Sequence, residues 1–216
     1  MLKTGLAFAV GYLVGAIPVG LLVPLGLKRV DVRRYGTGNI GAANVRESAG
    51  LVAGLVVALG VFLQGLLPPL ILRFLGAPEA MVAACAIGAV VGYGWPIFLR
   101  FRGGRALGTG TGAAAAISPG GFLVLLASYA IGALFGQTSL GTLLGFVAYA
   151  AYVSCFAGSA AHDLAALSLL TIIVLRRLEG LGRDLEYGPF FRTLLNLLLF
   201  QRRPERPRTT EARRDN

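Results

Sequence analysis

Long runs of apolar residues dominate the chain and predict helices that cross a membrane. Five runs cover residues 6–27, 51–75, 80–99, 110–135 and 139–175. A helix needs about 20 apolar residues to span roughly 30 Å of hydrocarbon, and each run meets or approaches that length. The first run is interpreted as a retained transmembrane helix, because no small-residue cleavage motif follows it before a polar region.

Helix-breaking residues divide several of these runs. Pro18 and Pro24 are expected to interrupt or bend the first helix, and Pro68-Pro69 to kink or end the second. The sequence Ser-Pro-Gly-Gly at 118–121 sets off the first turns of the fourth run as a short helix. The fifth run has 37 residues, about 55 Å as one straight helix, so we expect a break near Gly158-Ser159.

The positions of the cations predict the topology. Five Lys or Arg residues lie between positions 28 and 46, three between 100 and 105, and ten after residue 175. The alternate connections carry only Arg73 and nothing basic at 136–138. The positive-inside rule therefore places the three basic segments in the cytoplasm and the N-terminus outside. The predicted fold is an all-α polytopic helical bundle with five crossings, in which broken helices give up to seven transmembrane helices and the C-terminus is cytoplasmic.

The composition agrees with this fold class. The 216 residues are 56% hydrophobic and 14% charged, with 31 glycines and a net charge of +10, unlike a soluble domain. Residues 1–200 are predicted to form one membrane domain that ends in an interfacial helix at 189–200. Residues 201–216 are predicted to be a disordered basic tail. Membrane lipids are the expected surroundings, no nucleic-acid partner is expected, and the oligomeric state stays open.

The first loop, residues 36–46, has the composition of an anion-binding turn. Closely spaced glycines can turn backbone N–H groups toward an anion, and short polar side chains add hydrogen bonds. The residues predicted to form this site are Gly36, Thr37, Gly38, Asn39, Gly41, Asn44 and Arg46. The alternative is a flexible turn at the membrane surface.

The second loop, residues 95–109, places Gly103, Gly104 and Arg105 directly before an apolar helix. Backbone amides, a helix N-terminus and a guanidinium are the elements of a phosphate site. The pattern GxxxxGK[ST] is absent from the sequence, so nucleotide hydrolysis is not indicated. The alternative is a positive-inside anchor, which requires arginine but not the glycines. Elsewhere, His162 and Asp163 form either an acid–base pair or, through Asp163, a helix cap.

The two loops resemble the motifs of the bacterial integral-membrane acyl-phosphate:glycerol-3-phosphate acyltransferases. The family pattern GSGNxGAxN is similar to residues 36–44, GHxFPxFxxFKGGKGVAT to residues 92–109, and GSIPFG to residues 15–20. The resemblance implies transfer of a long-chain acyl group from acyl phosphate to the 1-hydroxyl of glycerol 3-phosphate, giving lysophosphatidic acid and phosphate. It also implies a cytoplasmic site in the bacterial inner membrane, and no metal, coenzyme A or other cofactor.

The same resemblance implies roles for individual residues. Thr37, Asn39 and Asn44 would be catalytic, orienting the acyl phosphate and stabilising charge on its carbonyl oxygen. The leaving phosphate would accept the hydroxyl proton. The residues implied to bind substrate are Gly36, Gly38, Gly41, Arg46, Gly103, Gly104, Arg105 and Thr109.

The chain departs from the family pattern at several positions. Thr37 stands where the family has Ser, Tyr93 where it has His, and Arg105 where it has Lys. Glu47 replaces an Arg, and a carboxylate there is expected to repel an anionic substrate. Residues 176–186 lack the His and Asn of the third motif, HRxNIxRLxxGxE. Two alternatives to the acyltransferase therefore stay open: a paralogue that binds a phosphorylated ligand or lipid without catalysis, and a small-solute transporter.

Overall fold

The described chain is helical, as predicted. The computed structural model describes residues 1–156, 159–179, 189–195, 197 and 199. Its helices are α1 (Leu2–Ala16), α2 (Val19–Lys28), α3 (Ala42–Ala49), α4 (Leu51–Phe74), α5 (Glu79–Gly94), α6 (Leu107–Ile117), α7 (Pro119–Leu134), α8 (Thr138–Phe156), α9 (Ala160–Leu178) and α10 (Phe190–Leu195), with 3-10 turns at Val32–Arg34 and Ile97–Leu99. The predicted tail at 201–216 and most of the segment compared with the third motif lie outside these residues.

Four segments of the described chain are long and apolar enough to cross a membrane. They are Leu2–Lys28, Leu51–Phe74, Glu79–Leu99 and Thr138–Phe156. Large apolar side chains such as Leu55, Leu59 and Leu123 remain exposed on the outer faces of their helices. An apolar exterior around a well-packed interior is the arrangement that a lipid environment requires.

The predicted breaks occur at three of the expected places. Helix α1 ends before Ile17, whose backbone is extended, and α2 begins after Pro18. Ser118 separates α6 from α7, and its side chain accepts a hydrogen bond from the N–H of Gly121. Helices α8 and α9 are separate, and Ser159 precedes α9.

In two predictions about prolines, the helix ends that were offered beside a bend or kink need correction. Pro24 lies inside α2 rather than interrupting it. Pro68 and Pro69 lie inside α4, which continues to Phe74, so they do not end that helix. A proline already has a helical φ, and in an apolar surrounding a continued helix satisfies more backbone groups than an unfolded end would.

Contacts between helices assign each helix end to one of two ends of the bundle. Arg176, near the C-terminus of α9, hydrogen-bonds the carbonyls of Gly103 and Gly104 before α6, and this end is called the site end. At the opposite end, Arg73 near the C-terminus of α4 hydrogen-bonds the carbonyl of Ile117 at the end of α6. Among the described residues, the chain thus passes through the bundle seven times, with α1 and α2 counted as one pass.

The connection at 136–138 lies at the site end, and its predicted position at the opposite end is wrong. Arg177 of α9 hydrogen-bonds both the side chain and the carbonyl of Ser139 at the start of α8. Helices α6 and α7 are therefore two passes, whereas the charge pattern treated residues 110–135 as one crossing. The positive-inside rule could not detect this, because a connection without charge carries no topological signal.

Glycines hold the centre of the bundle together. Gly11 and Gly15 of α1 lie against the backbone of α5, and Gly88 and Gly92 of α5 lie against the backbone of α1. A methyl group at any of the four would collide with a carbonyl group of the facing helix. Small residues at a spacing of four allow helix backbones to approach closely in a membrane. This contact sets the position of the C-terminal end of α5, from which the second loop emerges.

The pair His162-Asp163 lies away from the site end. The His162 imidazole is buried at the opposite end, with its Nε2 3.3 Å from a guanidinium nitrogen of Arg73. The N-cap of α9 is Ser159, so Asp163 lies in the first turn and does not cap the helix. Neither an acid–base role in the predicted site nor a capping role fits these positions.

Candidate functional site

A cavity of about 330 Å³ opens at the site end of the bundle. A volume in this range suits a small organic ligand. Both glycine-rich loops, the end of α9 and one residue beyond α10 contribute to its wall. The lining residues are Thr37, Gly38, Asn39, Gly103, Arg105, Arg176, Arg177, Glu179 and Leu197. Three arginines face one carboxylate, so the cavity is suited to an anion.

The side chain of Asn44 holds the first loop in shape. It is buried, and its Oδ1 accepts a hydrogen bond of 3.0 Å from the N–H of Thr37. Its Nδ2 donates to the carbonyls of Val32 at 3.0 Å and Asn39 at 2.9 Å. Asn44 thus holds the backbone of the loop together from outside the cavity lining. This arrangement brings Thr37, Gly38 and Asn39 to the cavity.

The turn inside the first loop depends on glycine. Gly36 and Gly38 have φ angles of 54° and 68°, which L-residues with side chains rarely adopt. The N–H of Gly38 donates to the carbonyl of Tyr35 at 2.9 Å, and the N–H of Asn39 lies 3.4 Å from the Thr37 hydroxyl oxygen. These contacts hold the turn in one conformation, and its binding of an anion stays a prediction.

An ion pair supports the segment that precedes this loop. The Asp31 carboxylate accepts hydrogen bonds from the Nε and a terminal nitrogen of Arg33, at 2.9 and 2.8 Å. The hydrogen bonds from Arg33, with a smaller contribution from the nearby charge of Arg34, lower the pKa of Asp31 to about 2. The same contact raises the pKa of Arg33. Both groups face solvent, so the pair orders the entry to the loop without lining the cavity.

The second loop folds tightly over Tyr93. The N–H of Gly104 donates to the Tyr93 carbonyl at 3.2 Å, and a Cβ at Gly104 would collide with the Tyr93 ring. A Cβ at Gly103 would collide with the carbonyls of Tyr93 and Gly94. The paired glycines are therefore required by close approach. The Tyr93 hydroxyl also lies 3.4 Å from the Ile40 carbonyl, so this residue contacts both loops.

The backbone of the second loop is strained on both sides of the paired glycines. Arg100, Phe101 and Ala106 have positive φ angles of 52°, 62° and 60°. Residues with a Cβ adopt this conformation at a cost, and such residues concentrate at functional sites. Ala106 stands where the resembled motif has glycine. Its left-handed conformation turns the chain from Arg105 into the first turn of α6.

Arg176 connects the end of α9 to the second loop. Its Nε and one terminal nitrogen donate to the carbonyls of Gly104 and Gly103, each at 2.8 Å. The guanidinium carbon lies 5.2 Å from the centre of the Trp95 ring, and the other terminal nitrogen pairs with Glu179. A guanidinium is well suited to bind two carbonyls at once because its N–H groups are coplanar.

The predicted site residues divide into two groups in the structure. Those brought together around the cavity are Thr37, Gly38, Asn39, Gly103 and Arg105. Those outside its lining are Gly36, Gly41, Asn44, Arg46, Gly104 and Thr109. Arg46 is exposed with its Cβ near Gly54 of α4, and Thr109 is fully buried in α6. Glu47 is also outside the lining, so the carboxylate that faces the cavity is Glu179 instead.

The arginines of α9 are the residues that sequence reasoning missed. Arg176 and Arg177 were counted as charges that indicate topology and compared with the third motif, and neither was predicted to be a site residue, yet both are buried and both line the cavity. A signal for Arg176 was present, because it continues the buried face of Leu169, Ile172 and Ile173 at helical spacing.

Over the part of the chain that the structure describes, no group of three or more His, Cys, Asp or Glu side chains could hold a metal ion.

Comparison with known proteins identifies the family. A family model described as Glycerol-3-phosphate acyltransferase matches residues 5–185. The chain belongs to the glycerol-3-phosphate acyltransferase family. A glycerol-3-phosphate acyltransferase of Rubrobacter xylanophilus is 44% identical over 135 residues, which are 62% of this chain and 67% of the relative. Another, of Geobacter sulfurreducens, is 35% identical over 184 residues, covering 85% of this chain and 94% of the relative.

Solved structures of the acyltransferase family share the fold. The crystal structure of PlsY (YgiH), an integral membrane glycerol 3-phosphate acyltransferase, in its glycerol 3-phosphate form is 26% identical with a TM-score of 0.74. The match covers 85% of this chain and 92% of that chain. A lysophosphatidic acid form of the same protein gives a TM-score of 0.73. The family prediction made from the two loops is confirmed, and this chain is a multi-pass membrane member of that family.

Proposed function

We propose that this protein transfers a long-chain acyl group from acyl phosphate to the 1-hydroxyl of glycerol 3-phosphate, giving lysophosphatidic acid and inorganic phosphate. The observation that carries the proposal is the cavity where both glycine-rich loops meet Arg105 and Arg177. Both substrates of this reaction carry a phosphate, and arginine is well suited to phosphate oxygens. Family membership supports glycerol 3-phosphate as the acceptor.

In the proposed mechanism the acceptor hydroxyl oxygen attacks the carbonyl carbon of the acyl phosphate. The bond from that carbon to the phosphate oxygen breaks, and the leaving phosphate takes the hydroxyl proton. Arg105, with Gly103 and Gly104 around it, binds the glycerol phosphate. Thr37 and Asn39 orient the acyl phosphate and stabilise the negative charge that develops on the carbonyl oxygen.

The remaining predicted residues act from outside the cavity wall in this proposal. Asn44 shapes the first loop through its three hydrogen bonds, and Gly36 permits the turn. Gly41 lies beside the Asn39 side chain, which is 3.4 Å from where a Cβ would be, an ordinary contact distance. Arg46 contributes positive charge at the site end, and Thr109 lies buried in α6, four residues after Arg105.

A path for the acyl chain lies next to the cavity. An apolar groove of about 260 Å³ runs between α6, α7 and α8, and it begins at Leu107, two residues after Arg105. Leu125, Leu126 and Tyr129 form its far wall. A chain in this groove would face lipid on one side, as a membrane-bound substrate requires. We propose that the acyl chain lies here while its phosphate remains in the cavity.

The proposal includes an orientation in the membrane. With the site end in the cytoplasm, the basic segments at 28–46 and 100–105 and Arg176-Arg177 lie on the cytoplasmic side and the N-terminus outside. The seven passes through the bundle would then be seven crossings of the bacterial inner membrane. Residues 1–200 would act as one membrane domain, with 201–216 as a basic cytoplasmic tail.

The direct test is an acyl transfer assay with purified protein, synthetic acyl phosphate and glycerol 3-phosphate. Lysophosphatidic acid and released phosphate are the expected products, and Asn39→Ala and Arg105→Ala are each expected to abolish turnover. Unchanged transfer in either variant would contradict the site assignment. Absence of product beside an active relative would instead favour a paralogue that binds its ligand without catalysis, and saturable solute uptake into liposomes would favour a transporter.

A further inference from the structure

Arg176 is buried beside a cationic cavity, where a further positive charge is costly unless it is well paired. Its side chain is 4% exposed. Taking a guanidinium out of water costs several kcal/mol unless its N–H groups find partners. Here two of its nitrogens bind the carbonyls of Gly103 and Gly104, the third pairs with Glu179, and the Trp95 ring lies against its face.

The contacts of Arg176 complete the support of the glycine turn. The N–H of Gly104 binds the Tyr93 carbonyl on one side, and the carbonyls of Gly103 and Gly104 bind Arg176 on the other. Consecutive glycines have the widest choice of backbone conformation, so their own preferences do not hold this turn. External hydrogen bonds must hold it, and the residue immediately after the turn is Arg105.

The geometry points to Arg176 as a positioning residue that acts through the Gly103-Gly104 turn to hold Arg105 in the cavity. The inference rests on the proposed function, since it assigns Arg105 to the phosphate of glycerol 3-phosphate. Arg176 supports the turn through two coplanar N–H groups, and not through its positive charge alone. Lysine at this position keeps the positive charge but has a single ammonium group in place of the planar guanidinium and its coplanar N–H donors.

The test compares the same substitution at two arginines that make the same kind of contact. Arg176→Lys is expected to raise KM for glycerol 3-phosphate roughly tenfold, because a charge-assisted hydrogen bond to the turn is lost. The KM for acyl phosphate should stay within about twofold. Arg73, which donates to the carbonyls of Ala116 and Ile117 at the opposite end, is the matched control. Arg73→Lys should lower the melting temperature similarly and leave both KM values unchanged.

Four outcomes would overturn the inference. If Arg176 were only a charge beside the phosphate, the lysine ammonium would replace it with less than about a threefold change in KM. If its role were general stability, Arg73→Lys would raise KM for glycerol 3-phosphate as much, or Arg176→Lys would raise both KM values together. Should Arg176→Lys fail to fold, Trp95→Phe weakens the ring contact instead, and an unchanged KM there would also refute the positioning role.

Failure of the inference can be told from failure of the proposed function. Wild-type protein that forms no product contradicts the acyltransferase proposal, whatever Arg176 does. Calorimetric binding of glycerol 3-phosphate then provides the same comparison, with weaker binding expected for Arg176→Lys and unchanged binding for Arg73→Lys. Wild-type protein that is active, beside an Arg176→Lys variant with normal kinetics, contradicts the positioning role alone.

Discussion

Replacing Asn44 with alanine tests whether one buried amide orders the first loop. The side chain is 3% exposed and makes three hydrogen bonds, to the N–H of Thr37 and to the carbonyls of Val32 and Asn39. All three partners belong to the twelve residues before it, so the loss falls on this loop and not on the packing of the long helices.

The magnitude follows from the number of bonds. A hydrogen bond of this kind contributes about 1 kcal/mol net, so the three together stabilise the closed loop by about 3 kcal/mol. This corresponds to roughly a 100-fold change in the equilibrium between ordered and disordered loop. The glycines at positions 36 and 38 have no conformational preference that could offset the loss of these three hydrogen bonds.

The assay combines hydrogen exchange with acyl transfer in lipid nanodiscs. Asn44→Ala is expected to accelerate amide exchange at residues 32–44 by up to about 100-fold and to lower kcat/KM at least tenfold, with a small change in melting temperature. Ser48→Ala is the control, because the Ser48 hydroxyl bonds the Asn44 carbonyl and leaves the amide side chain alone. It should stay within about threefold of wild type on both measures.

A second substitution at Asn44 distinguishes the role of its side-chain oxygen from that of its NH2 group. Asn44→Asp keeps an oxygen to accept from the Thr37 N–H but turns a carboxylate oxygen toward the Val32 and Asn39 carbonyls. Its effect should be at least as large as that of alanine, because lone pairs then face each other where a donor is needed. The reasoning is refuted if Asn44→Ala exchanges and turns over like wild type, or if aspartate is the milder of the two changes.

Three further predictions concern charge, packing and pH. Glu179→Gln removes the negative charge from the cavity but keeps an amide oxygen that can accept a hydrogen bond from Arg176. It should lower KM for glycerol 3-phosphate by roughly three- to tenfold, since like charges repel; an unchanged or higher KM would contradict it. Gly88→Leu should greatly lower the melting temperature because a side chain there meets the α1 backbone, whereas Gly5→Leu, with nothing within 4 Å, should not. The Asp31 pKa, lowered by Arg33 from 3.8 to about 2, means that its contribution to stability is present above pH 4 and is lost as the pH falls through 2. Thermal melts of Asp31→Asn should therefore vary less with pH between 5 and 2 than those of wild type.

The first two loops could be recognised from sequence because their chemistry is local. A turn that exposes backbone N–H groups needs glycine within a few residues. The sequence shows such glycines in both loops, at Gly36, Gly38, Gly103 and Gly104. The structure adds which side chains reach the cavity. Asn44, expected to be catalytic, faces the back of its own loop, and this orientation depends on the start of α3 rather than on residue type.

Arg176 illustrates the opposite case. It was one of ten cations after residue 175, which indicate the side of the membrane that the segment occupies, and it began the segment compared with the third motif, but it was not predicted to be a site residue. Its partners, the carbonyls of Gly103 and Gly104, are more than 70 residues away in the chain. No local pattern encodes such a pairing, and the helical spacing from Leu169 to Arg176, which could have indicated a buried face, was not used to predict one.

The sequence alone determined that this protein is a helical membrane protein, where most of its helices break, and which two glycine-rich loops were candidates for the functional site. These properties depend on hydrophobic run length, proline and glycine, which act over a few residues. The tertiary structure decided that residues 136–138 lie at the site end, that α9 supplies two of the cavity's arginines, and that Glu179 faces them. Those features depend on how the helices pack, through contacts such as those of Gly11, Gly15, Gly88 and Gly92, and packing joins positions that no local pattern relates.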